Sequence, residues 1–406
     1  MKSANSLLSL IFILLFSACE EPAFYSVRGK DVLDPAGNVF IMKGTNLGNW
    51  LVPEGYMFKF EHTSSPRLIQ EAVNELIGPE AAKQFWKTYL DNYINRDDIR
   101  YLKSIGMNSI RLPFHYKLFT DEDYLGGRGE ARGFELLDKA VQWCKEEGLG
   151  VLLDMHCAPG GQTGDNIDDS YGYPFLFESP ESQEMTVAIW KKIADRYKNE
   201  PAVIGYDLLN EPIPHFFDQD HFNPLLEPLY KKITAAVREV DPNHLIFLGG
   251  AQWDSNFKVF GPPFDDKLVY TFHKYWTAPT VEVIQDYLDF RDRYNVPIYC
   301  GETGENSDEW VTNFRKTLDE NQVGWHFWPY KKMDNTAGIV TFPRPEGYDL
   351  VKSFADSTRV TFEDIRKATP ADREQARKAL DGFLENCLFV HCSGNGGYVE
   401  GLGFGG

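Results

Sequence analysis

The stretch VPIYCGETGEN, residues 296–306, places a carboxylate at the end of what reads as a buried strand. Val296, Ile298 and Tyr299 have the apolar character of a strand in a core, and Glu302 follows between two glycines. A buried carboxylate is costly unless it is paired or takes part in chemistry. The segment therefore predicts a strand that leads to a functional acid, and it raises the question of a second carboxylate.

A short apolar run, a polar loop and an amphipathic helix recur along residues 36–357. The eight segments with strand character are 39–47, 107–113, 150–156, 203–210, 244–250, 267–273, 296–302 and 323–328. Alternating strands and helices over this length indicate a closed (β/α)₈ barrel or a doubly wound sheet. The first strand is followed by GTNLGNW (44–50), which lacks the glycine fingerprint of a nucleotide-binding sheet. The sequence therefore predicts an α/β fold, a (β/α)₈ TIM barrel that forms a single catalytic domain.

Polar side chains are concentrated at the predicted strand ends. A TIM barrel carries its active site at this face. The residues there are Asn46, Arg111, His156, Asn210 with Glu211, His273 with Tyr275, Glu302 and Trp328. The strand starts carry no comparable set, so the pattern favours a barrel with one active site.

The second carboxylate is in YDLLNEP, residues 206–212, at the end of the fourth predicted strand. Glu211 would there meet Glu302 across the mouth of the barrel. Facing carboxylates are typical of enzymes that split glycosidic bonds, since one donates a proton to the leaving oxygen and the other acts in its ionised form. Burial and mutual repulsion separate the two pKa values, so both states coexist near neutral pH. Either glutamate alone could form an ion pair at a loop hinge; the two together favour catalysis.

These motifs resemble glycoside hydrolase family 5, a family of retaining β-glycosidases in clan A with a (β/α)₈ barrel. The matching residues are Arg111 in RLP, His156 in DMHCAPGGQ, Asn210 and Glu211 in LLNEP, His273 and Tyr275 in FHKYW, Glu302 in CGETG and Trp328 in WHFW. The resemblance covers about residues 36–345, with the motifs in the family's order. KGTNLGNWLVPEGYM (43–57) and FWPYKK (327–332) look most like the exo-β-1,3-glucanase and β-glucosidase-like branch.

The resemblance implies a role for each residue around the two acids. Glu211 would be the general acid/base and Glu302 the nucleophile of a double displacement, with their carboxyl groups roughly 5–5.5 Å apart. Arg111 and Tyr275 would hold Glu302 ionised and aimed. Asn210 would hydrogen-bond the 2-hydroxyl of the sugar.

Further residues are expected to bind the substrate. His156 and His273 would line the subsite next to the scissile bond, although histidines at strand ends are often only satisfied polar core residues. Trp328 would form the floor on which the sugar stacks, and Glu54 in LVPEGYM would contact hydroxyls of the terminal sugar by analogy with the exo-acting branch. The loop at 160–175 is expected to wall the cleft. No third nitrogen or sulfur ligand stands near the histidines at useful spacing, so we expect neither a metal nor another cofactor.

The expected function is therefore hydrolysis of a β-glucan or β-gluco-oligosaccharide, with a β-1,3-glucan or a β-glucoside as substrate and exo-like action. An endo-acting cellulase or mannanase of the same family is one alternative, and a surface glycan-binding lipoprotein without catalysis is another. The retention of both carboxylates with Arg111 and Asn210 favours an enzyme. An α/β hydrolase that uses serine and histidine is disfavoured, because the chain contains no G-x-S-x-G turn.

The first residues predict export. Lys2 precedes the apolar run LLSLIFILLF (7–16), which is short for a membrane span, and Ser17-Ala18-Cys19 follows. This pattern resembles a bacterial lipoprotein signal, in which cleavage leaves a lipidated cysteine. We expect residues 1–18 to be a signal peptide and Cys19 to be the lipid anchor at a bacterial membrane, at the outer membrane or cell surface. An ordinary signal, which would leave the protein secreted or periplasmic, is the alternative.

The flanking segments and the charge complete the sequence-based predictions. Residues 19–35 are expected to be a tether and lead-in, and residues 358–406 a C-terminal helical tail packed on the barrel. Cys387 and Cys392 could pair, and the sequence leaves this open. The net charge of −19 argues against a nucleic acid partner. The expected partners are a β-linked oligo- or polysaccharide and, through the anchor, a membrane.

Overall fold

The computed structural model describes residues 23–405, so the predicted signal peptide and Cys19 lie outside the described residues. The described chain begins with a hairpin of two antiparallel strands, β1 (Ser26–Arg28) and β2 (Asp31–Leu33). Tyr25 and Val32 pack against inward-facing side chains of the barrel. The segment predicted as a tether and lead-in thus contains an ordered hairpin; the domain boundaries themselves stay predictions.

Eight parallel strands form the closed barrel that the sequence predicts. They are β3 (Lys43–Asn46), β4 (Ser109–His115), β5 (Gly150–Cys157), β6 (Val203–Asp207), β7 (Leu245–Gly249), β8 (Leu268–Lys274), β9 (Ile298–Gly304) and β10 (Gly324–Trp328). Successive strands pair side by side, and β10 closes the barrel against β3. The prediction of a single-domain (β/α)₈ barrel is confirmed.

Two of the barrel strands are shorter than predicted by three residues or more. The first, expected over 39–47, begins only at Lys43, because Val39 is 52 % exposed and makes an isolated bridge to β2. The fourth, expected over 203–210, ends at Asp207. Leu208 and Asn210 still donate their backbone N–H groups to Phe247 and Met155 of the neighbouring strands, and the chain turns at Glu211.

Helices surround the barrel and connect its strands. Those before the C-terminal segment are α1 (Pro66–Ile77), α2 (Pro79–Asn92), α3 (Arg96–Ile105), α4 (Glu130–Glu147), α5 (Pro180–Tyr197), α6 (Gln219–Arg238), the single left-handed turn α7 (Ala251–Asp254), α8 (Gln285–Tyr294) and α9 (Asp308–Glu320). Local sequence fixes their ends: at α5 the Ser179 side chain accepts the backbone N–H of Ser182, and Pro180 occupies the first turn. Across residues 23–405, none of the helices has the combination of length and apolar character needed to cross a bilayer.

The lower part of the barrel interior is filled with apolar side chains. Leu152, Ile204, Phe247, Val269 and Tyr299 form one buried cluster that includes residues of the hairpin. TIM barrels are filled in this way and carry their chemistry at the opposite face. The packed layer separates the polar residues at the strand ends from the solvent below the barrel.

The chain beyond the barrel packs back onto it. This part consists of a small sheet, β11 (Lys331–Met333), β12 (Val340–Phe342) and β13 (Ser393–Gly394), and of helices α10 (Tyr348–Ala355), α11 (Phe362–Ala368), α12 (Arg373–Asn386) and α13 (Gly396–Gly401). The buried ammonium of Lys331 lies 2.6 Å from Asp98 on α3 and donates to the Cys387 carbonyl at 2.8 Å, which joins α12 to the barrel. Cys387 and Cys392 are both free thiols, so the disulfide that the sequence left open is not formed.

Candidate active site

A cavity of about 570 Å³ opens at the carboxyl ends of the barrel strands. The residues singled out from the sequence that line it are Glu54, His156, Glu211, His273, Tyr275, Glu302 and Trp328. Arg111 and Asn210 are buried and bonded to one another, and Arg111 also contacts Glu302. The structure therefore brings together every residue that the sequence assigned to the site, and the loop at 160–175 walls the cavity through residues 165–167.

The two glutamates face one another in this cavity. Glu302 lies within β9, and Glu211 lies beyond the end of β6 in left-handed backbone with φ 48°. One carboxylate oxygen of each lies within 4.8 Å of the other and of a ring nitrogen of His273. Left-handed backbone is uncommon outside glycine and is retained where surrounding structure enforces it, often at functional sites. Because β6 ends at Asp207 and the backbone turns at Glu211, the side chain of Glu211 lies opposite Glu302.

Arg111 and Tyr275 both contact Glu302, as the sequence predicts. Arg111 Nη1 donates to Oε1 of Glu302 at 2.5 Å, and the Tyr275 hydroxyl donates to Oε2 at 3.1 Å. A guanidinium in contact stabilises the ionised form of a carboxylate. Because the two donors take different oxygens, they also fix the orientation of the group. Asn210 accepts from Arg111 Nη2 at 2.9 Å, which holds its amide at the edge of the site.

Two aspartates that the sequence did not assign to the site contact Arg111. Arg111 Nε donates to Oδ2 of Asp207 at 2.8 Å, and Nη2 lies 3.0 Å from Oδ1 of Asp154. All three side chains are fully buried. Burial raises the pKa of both aspartates to about 7, although Arg111 opposes the shift. Both stand inside apolar strand segments, which is the same signal that singled out Glu302.

Glu211 has a neutral histidine as its partner, where Glu302 has a cation. His273 Nδ1 lies 2.9 Å from Oε1 of Glu211 and 3.8 Å from Oε2 of Glu302. Burial lowers the pKa of His273 to about 3 and raises the pKa of Glu211 to about 7. The pairing of β8 with β9 shifts register next to His273, which then lies opposite Glu302. The sequence predicted contacts of this ring with sugar hydroxyls; in the structure one of its two nitrogens is directed at Glu211.

Asp254 lies behind His273, and sequence reasoning missed it. Its Oδ2 lies 3.2 Å from His273 Nε2 and accepts the backbone N–H of Glu211 at 3.3 Å. Asp254 is fully buried, and its Oδ1 has no hydrogen bond within residues 23–405. The local sequence AQWDSN is that of an ordinary loop, so no local pattern shows that this carboxyl enters the core.

His156 and Trp328 form a flat wall of the cavity. Their rings are parallel within 6°, with centroids 5.6 Å apart. His156 Nδ1 is held by Asp154 Oδ2 at 2.8 Å, and burial lowers the pKa of His156 to about 4. Gly48 lies against the indole, where a Cβ would come within 2.5 Å of the ring. A rigid indole face of this kind suits the stacking of a sugar ring.

Glu54 is buried at the edge of the cavity, and no cation of residues 23–405 forms an ion pair with it. It is 6 % exposed, and its Oε1 has no hydrogen bond within the described part of the chain. Burial, followed by the negative charges of Glu305, Glu302 and Glu211, raises the pKa of Glu54 well above its usual value. An unpaired buried oxygen that borders a cavity is suited to a ligand hydroxyl.

A bonded group of side chains links Trp328 to the turn that follows Glu54. Trp328 Nε1 donates to the hydroxyl of Tyr56 at 2.7 Å. The ammonium of Lys332 lies 5.3 Å from the centre of the Tyr56 ring and donates to Glu305 Oε1 at 2.6 Å. Tyr56 and Glu305 both line the cavity. The segment between β3 and α1 (residues 47–65), called here the insertion after β3, therefore bounds the site together with the loop after β9 and the end of β10.

Two tryptophans of the rim were also missed from the sequence. Trp253 and Trp276 line the cavity from the loops after β7 and β8. Trp276 is 74 % exposed, and both residues have left-handed backbone, with φ 56° and 53°. Trp276 directly follows the FHKY motif, which is the one local signal for its position.

Within residues 23–405, one group of three metal-ligating side chains has its ligand atoms within 4.8 Å: Glu211, His273 and Glu302. Arg111 donates to Glu302 at 2.5 Å and would place a fixed positive charge next to a bound cation. The donor set therefore fits a cation poorly and a neutral polar ligand well.

The sequence model of the cellulase family, glycosyl hydrolase family 5, matches residues 63–334. A β-xylosidase of Phanerodontia chrysosporium is 32 % identical over 59 % of this chain and 48 % of its own length. Endoglucanase C of Acetivibrio thermocellus is 28 % identical over 62 % of this chain and 88 % of its own. A probable glucan 1,3-beta-glucosidase A of Aspergillus fumigatus is 30 % identical over 51 % of this chain and 49 % of its own. The match thus spans about half the length of the xylosidase and of the glucosidase.

Solved structures share the fold. The crystal structure of endogalactoceramidase superposes with a TM-score of 0.62 at 18 % identity, over 94 % of this chain and 84 % of that chain. An endoglucanase of Thermotoga maritima superposes with a TM-score of 0.52 at 18 % identity, over 73 % of this chain and 91 % of that chain. At this level of identity the likeness concerns the fold alone.

We expect Arg111→Met to lower the free energy of unfolding at pH 7 by about 3–5 kcal/mol, because it leaves buried carboxylates without their cation. Asp154 and Asp207 already have pKa values of about 7 with Arg111 in place, so both proteins lose stability in parallel as pH rises from about 4 to 7. Removal of Arg111 raises these two pKa values further, so the additional loss of the variant grows as pH rises above about 7. Urea unfolding of both proteins at about pH 6, pH 7 and pH 8 measures this. Arg196→Met, which breaks the exposed pair with Asp138, is the control and is expected to cost below about 1 kcal/mol. Equal losses in the two variants would contradict the prediction.

Proposed function

Because the chain belongs to glycosyl hydrolase family 5, we propose that it hydrolyses β-glucosidic bonds with retention of configuration, using Glu211 as general acid/base and Glu302 as nucleophile. The observation that carries the proposal is the separation of the two acids: one carboxylate oxygen of Glu211 lies within 4.8 Å of a carboxylate oxygen of Glu302. Retaining enzymes hold their carboxyl groups roughly 5–5.5 Å apart, whereas inverting enzymes need roughly 6.5–9.5 Å to admit a water molecule. The close spacing supports direct attack by a carboxylate.

In the first step, an oxygen of Glu302 bonds to the anomeric carbon while the bond from that carbon to the glycosidic oxygen breaks. The electron pair of the broken bond goes to the leaving oxygen, which takes the proton of Glu211. In the second step, Glu211 removes a proton from water, the water oxygen bonds to the anomeric carbon, and Glu302 leaves as a carboxylate. Glu211 thereby regains its proton.

Opposite environments support this division of roles. Glu302 is paired with Arg111 at 2.5 Å, which stabilises a carboxylate that must attack in its ionised form. Burial raises the pKa of Glu211 to about 7, so this group can hold a proton near neutral pH and give it up during the reaction. Asn210, His156 and Trp328 are proposed to bind the sugar on which Glu302 acts.

We propose an exo-like action on a β-glucan or β-glucoside, with a β-1,3-glucan as the favoured polymer. The hydrogen bond from Trp328 Nε1 to the Tyr56 hydroxyl holds the insertion after β3 against Trp328, the residue proposed to stack on the sugar. Glu54 brings an unpaired oxygen to the same part of the cavity, where hydroxyls of a terminal sugar could donate to it. Similarity to a probable glucan 1,3-beta-glucosidase is consistent with this substrate class.

An endo-acting glucanase is the second candidate. Its support is the similarity to endoglucanase C of Acetivibrio thermocellus, which extends over 88 % of that protein. The two candidates differ in how the polymer enters the cavity, since an endo-acting enzyme must accept sugar units on both sides of the cleaved bond.

We also propose that the protein is exported and anchored through a lipid on Cys19. The support is the sequence of the first residues, with Lys2, the apolar run at 7–16 and the small residues before the cysteine. One lipid chain gives marginal membrane binding, so stable anchoring requires the multiple acyl chains of a lipoprotein.

We predict that Glu302→Ala lowers kcat/KM for an aryl β-glucoside by about 10⁴-fold or more, because no other group can attack the anomeric carbon. Glu211→Ala is expected to lose about 10²–10⁴-fold on substrates whose leaving group needs a proton. Azide should restore turnover to both variants, with a product of opposite anomeric configuration in each. The wild-type kcat/KM should fall as pH rises through about 7, where Glu211 loses its proton. Glu309→Ala on the exposed face of α9 is the matched control; full activity in Glu302→Ala would refute the proposal.

The exo proposal predicts the products of polymer hydrolysis. Laminarin should yield monosaccharide from the first minutes, and the viscosity of barley β-glucan should fall little for each bond cleaved, because internal bonds cannot reach the acids. Carboxymethyl cellulose and mannan, assayed in parallel with aryl β-glycosides, identify the sugar and the linkage. Early release of oligosaccharides with a rapid fall in viscosity would support the endo-acting candidate instead.

The anchor proposal predicts that radiolabelled palmitate enters the full-length protein in a bacterial host and that the protein sediments with membranes. Cys19→Ser should lose the label and appear in the soluble fraction. Cys392→Ser, which removes a different cysteine, should keep both properties. Labelling of the Cys19→Ser variant would contradict the proposal.

A further inference from the structure

Asp254 makes two contacts, and both lead to Glu211. Its Oδ2 accepts the backbone N–H of Glu211 at 3.3 Å and lies 3.2 Å from Nε2 of His273, whose Nδ1 lies 2.9 Å from Oε1 of Glu211. The side chain is fully buried, and no lysine or arginine within residues 23–405 pairs with it. Nε2 of His273 has no aligned hydrogen bond in the described part of the chain, and the Asp254 carboxyl lies 3.2 Å from it. The carboxyl of Asp254 thus contacts the imidazole of His273, which in turn contacts the carboxyl of Glu211.

The backbone is bent to bring Asp254 into this position. Gln252, Trp253 and Asp254 all have left-handed backbone, with φ 51°, 56° and 57°. Such backbone costs free energy at each non-glycine residue and persists where the surrounding structure enforces it. Gly249 accommodates the inward turn, since a Cβ there would lie 1.9 Å from Oδ1 of Asp254. Strain in three successive residues, with a glycine opposite, indicates that the inward carboxyl has a use.

The surroundings of Asp254 favour its neutral form. The titratable groups around it come from β4, β6 and its loop, β8, α6 and α8: Arg111, Asp207, Glu211, His273, Tyr230 and Tyr287. Burial, followed by the charges of Asp207 and Glu211, raises the pKa of Asp254 well above its usual value, and Arg111 opposes this only in part. A neutral carboxyl also leaves no charged oxygen unpaired at Oδ1.

The form of Asp254 determines which nitrogen of His273 carries the proton. In a neutral imidazole one nitrogen donates and the other accepts. An ionised Asp254 would take the proton on Nε2, which leaves a lone pair on Nδ1 and draws the proton of Glu211 to Oε1, toward the ring. A neutral Asp254 can donate to Nε2, so Nδ1 carries a hydrogen and donates to Oε1. The proton of Glu211 must then occupy its other oxygen, Oε2.

We propose that Asp254, as a neutral acid, is a positioning residue that fixes His273 as its Nδ1–H tautomer and thereby places the transferable proton of Glu211 on Oε2, away from the ring. The proposal rests on the proposed role of Glu211 as acid/base. In the first step, the proton on Oε2 is free to pass to the leaving oxygen without first breaking a bond to His273. In the second step, the Nδ1–H bond to Oε1 remains in place while Oε2 takes a proton from water. The alignment at 3.2 Å would tighten when substrate excludes water, as catalytic hydrogen bonds commonly do.

The test compares two substitutions of similar size, one that can donate to Nε2 and one that cannot. Asp254→Asn keeps a donor, and Asp254→Leu removes it. Phenyl β-glucoside needs a proton on its leaving group, whereas 2,4-dinitrophenyl β-glucoside does not. For Asp254→Leu we expect kcat/KM to fall by about 10- to 100-fold on the phenyl substrate and by less than about threefold on the dinitrophenyl substrate. The amide nitrogen of Asp254→Asn replaces the donor to Nε2 but cannot accept the backbone N–H of Glu211. For this variant we therefore expect similar losses on the two substrates, with the ratio of the two kcat/KM values within about fivefold of the wild type.

Asp241 provides a matched structural control. It is also a buried aspartate in contact with a histidine, since its Oδ2 lies 2.6 Å from Nδ1 of His244, before the start of β7 and at the opposite end of the barrel. Asp241→Asn should lower the midpoint of thermal unfolding and leave the ratio of the two kcat/KM values unchanged. Equal losses of Asp254→Leu on both substrates, or a ratio in Asp241→Asn that matches it, would overturn the proposal.

The tautomer of His273 gives a readout that does not depend on turnover. Nitrogen-15 NMR of the labelled wild-type protein and of Asp254→Asn should show the proton of His273 on Nδ1, and Asp254→Leu should lose this preference. A proton on Nε2 in the wild type would overturn the proposal whatever the kinetics show. If the wild type hydrolyses neither the aryl β-glucosides nor any of the β-glucans, the proposed function fails, and the NMR result still decides the role of Asp254.

Discussion

The buried guanidinium of Arg111 is the interaction on which the site depends. Its nitrogens contact Asp154 on β5, Asp207 on β6 and Glu302 on β9, and they also bond to Asn46 and Asn210. A single cation from β4 therefore ties together strand ends on opposite sides of the barrel. The same contacts that hold the closed barrel at its mouth also orient Glu302, so stability and the geometry of the site cannot be varied independently here.

The sequence predicted those parts of the structure that a short run of consecutive residues determines. Each barrel strand is a short apolar run, and Glu302 and Glu211 stand out because a carboxylate follows such a run. The remaining parts depend on tertiary geometry. Asp254 follows a tryptophan in an ordinary loop sequence, and it reaches the core only because three residues adopt left-handed backbone. The register shift beside His273, which directs its ring at Glu211, likewise has no signal in the strand pattern.

The sugar-binding side of the cavity is assembled from distant segments for the same reason. Trp328 ends β10, Tyr56 comes from the insertion after β3, and Tyr398 of α13 donates to the Trp328 carbonyl at 3.4 Å. Each of these segments was assigned separately from the sequence, and the tail appeared there to have only a packing role. Through the contact of Tyr398, the C-terminal segment helps to hold Trp328 in place.

Glu302 and Glu211 are chemically identical side chains whose neighbours give them different electrostatic environments. Glu302 has a fixed cation on one oxygen and a phenol on the other, so its charge and its direction are both stabilised. Glu211 has an imidazole that burial keeps neutral, and its own pKa is raised to about 7 by burial. A second cation at His273 would favour the ionised form of both acids and leave no proton to transfer. The burial of His273 between the glutamates is therefore as necessary to an acid and a nucleophile at this distance as the charge of Arg111.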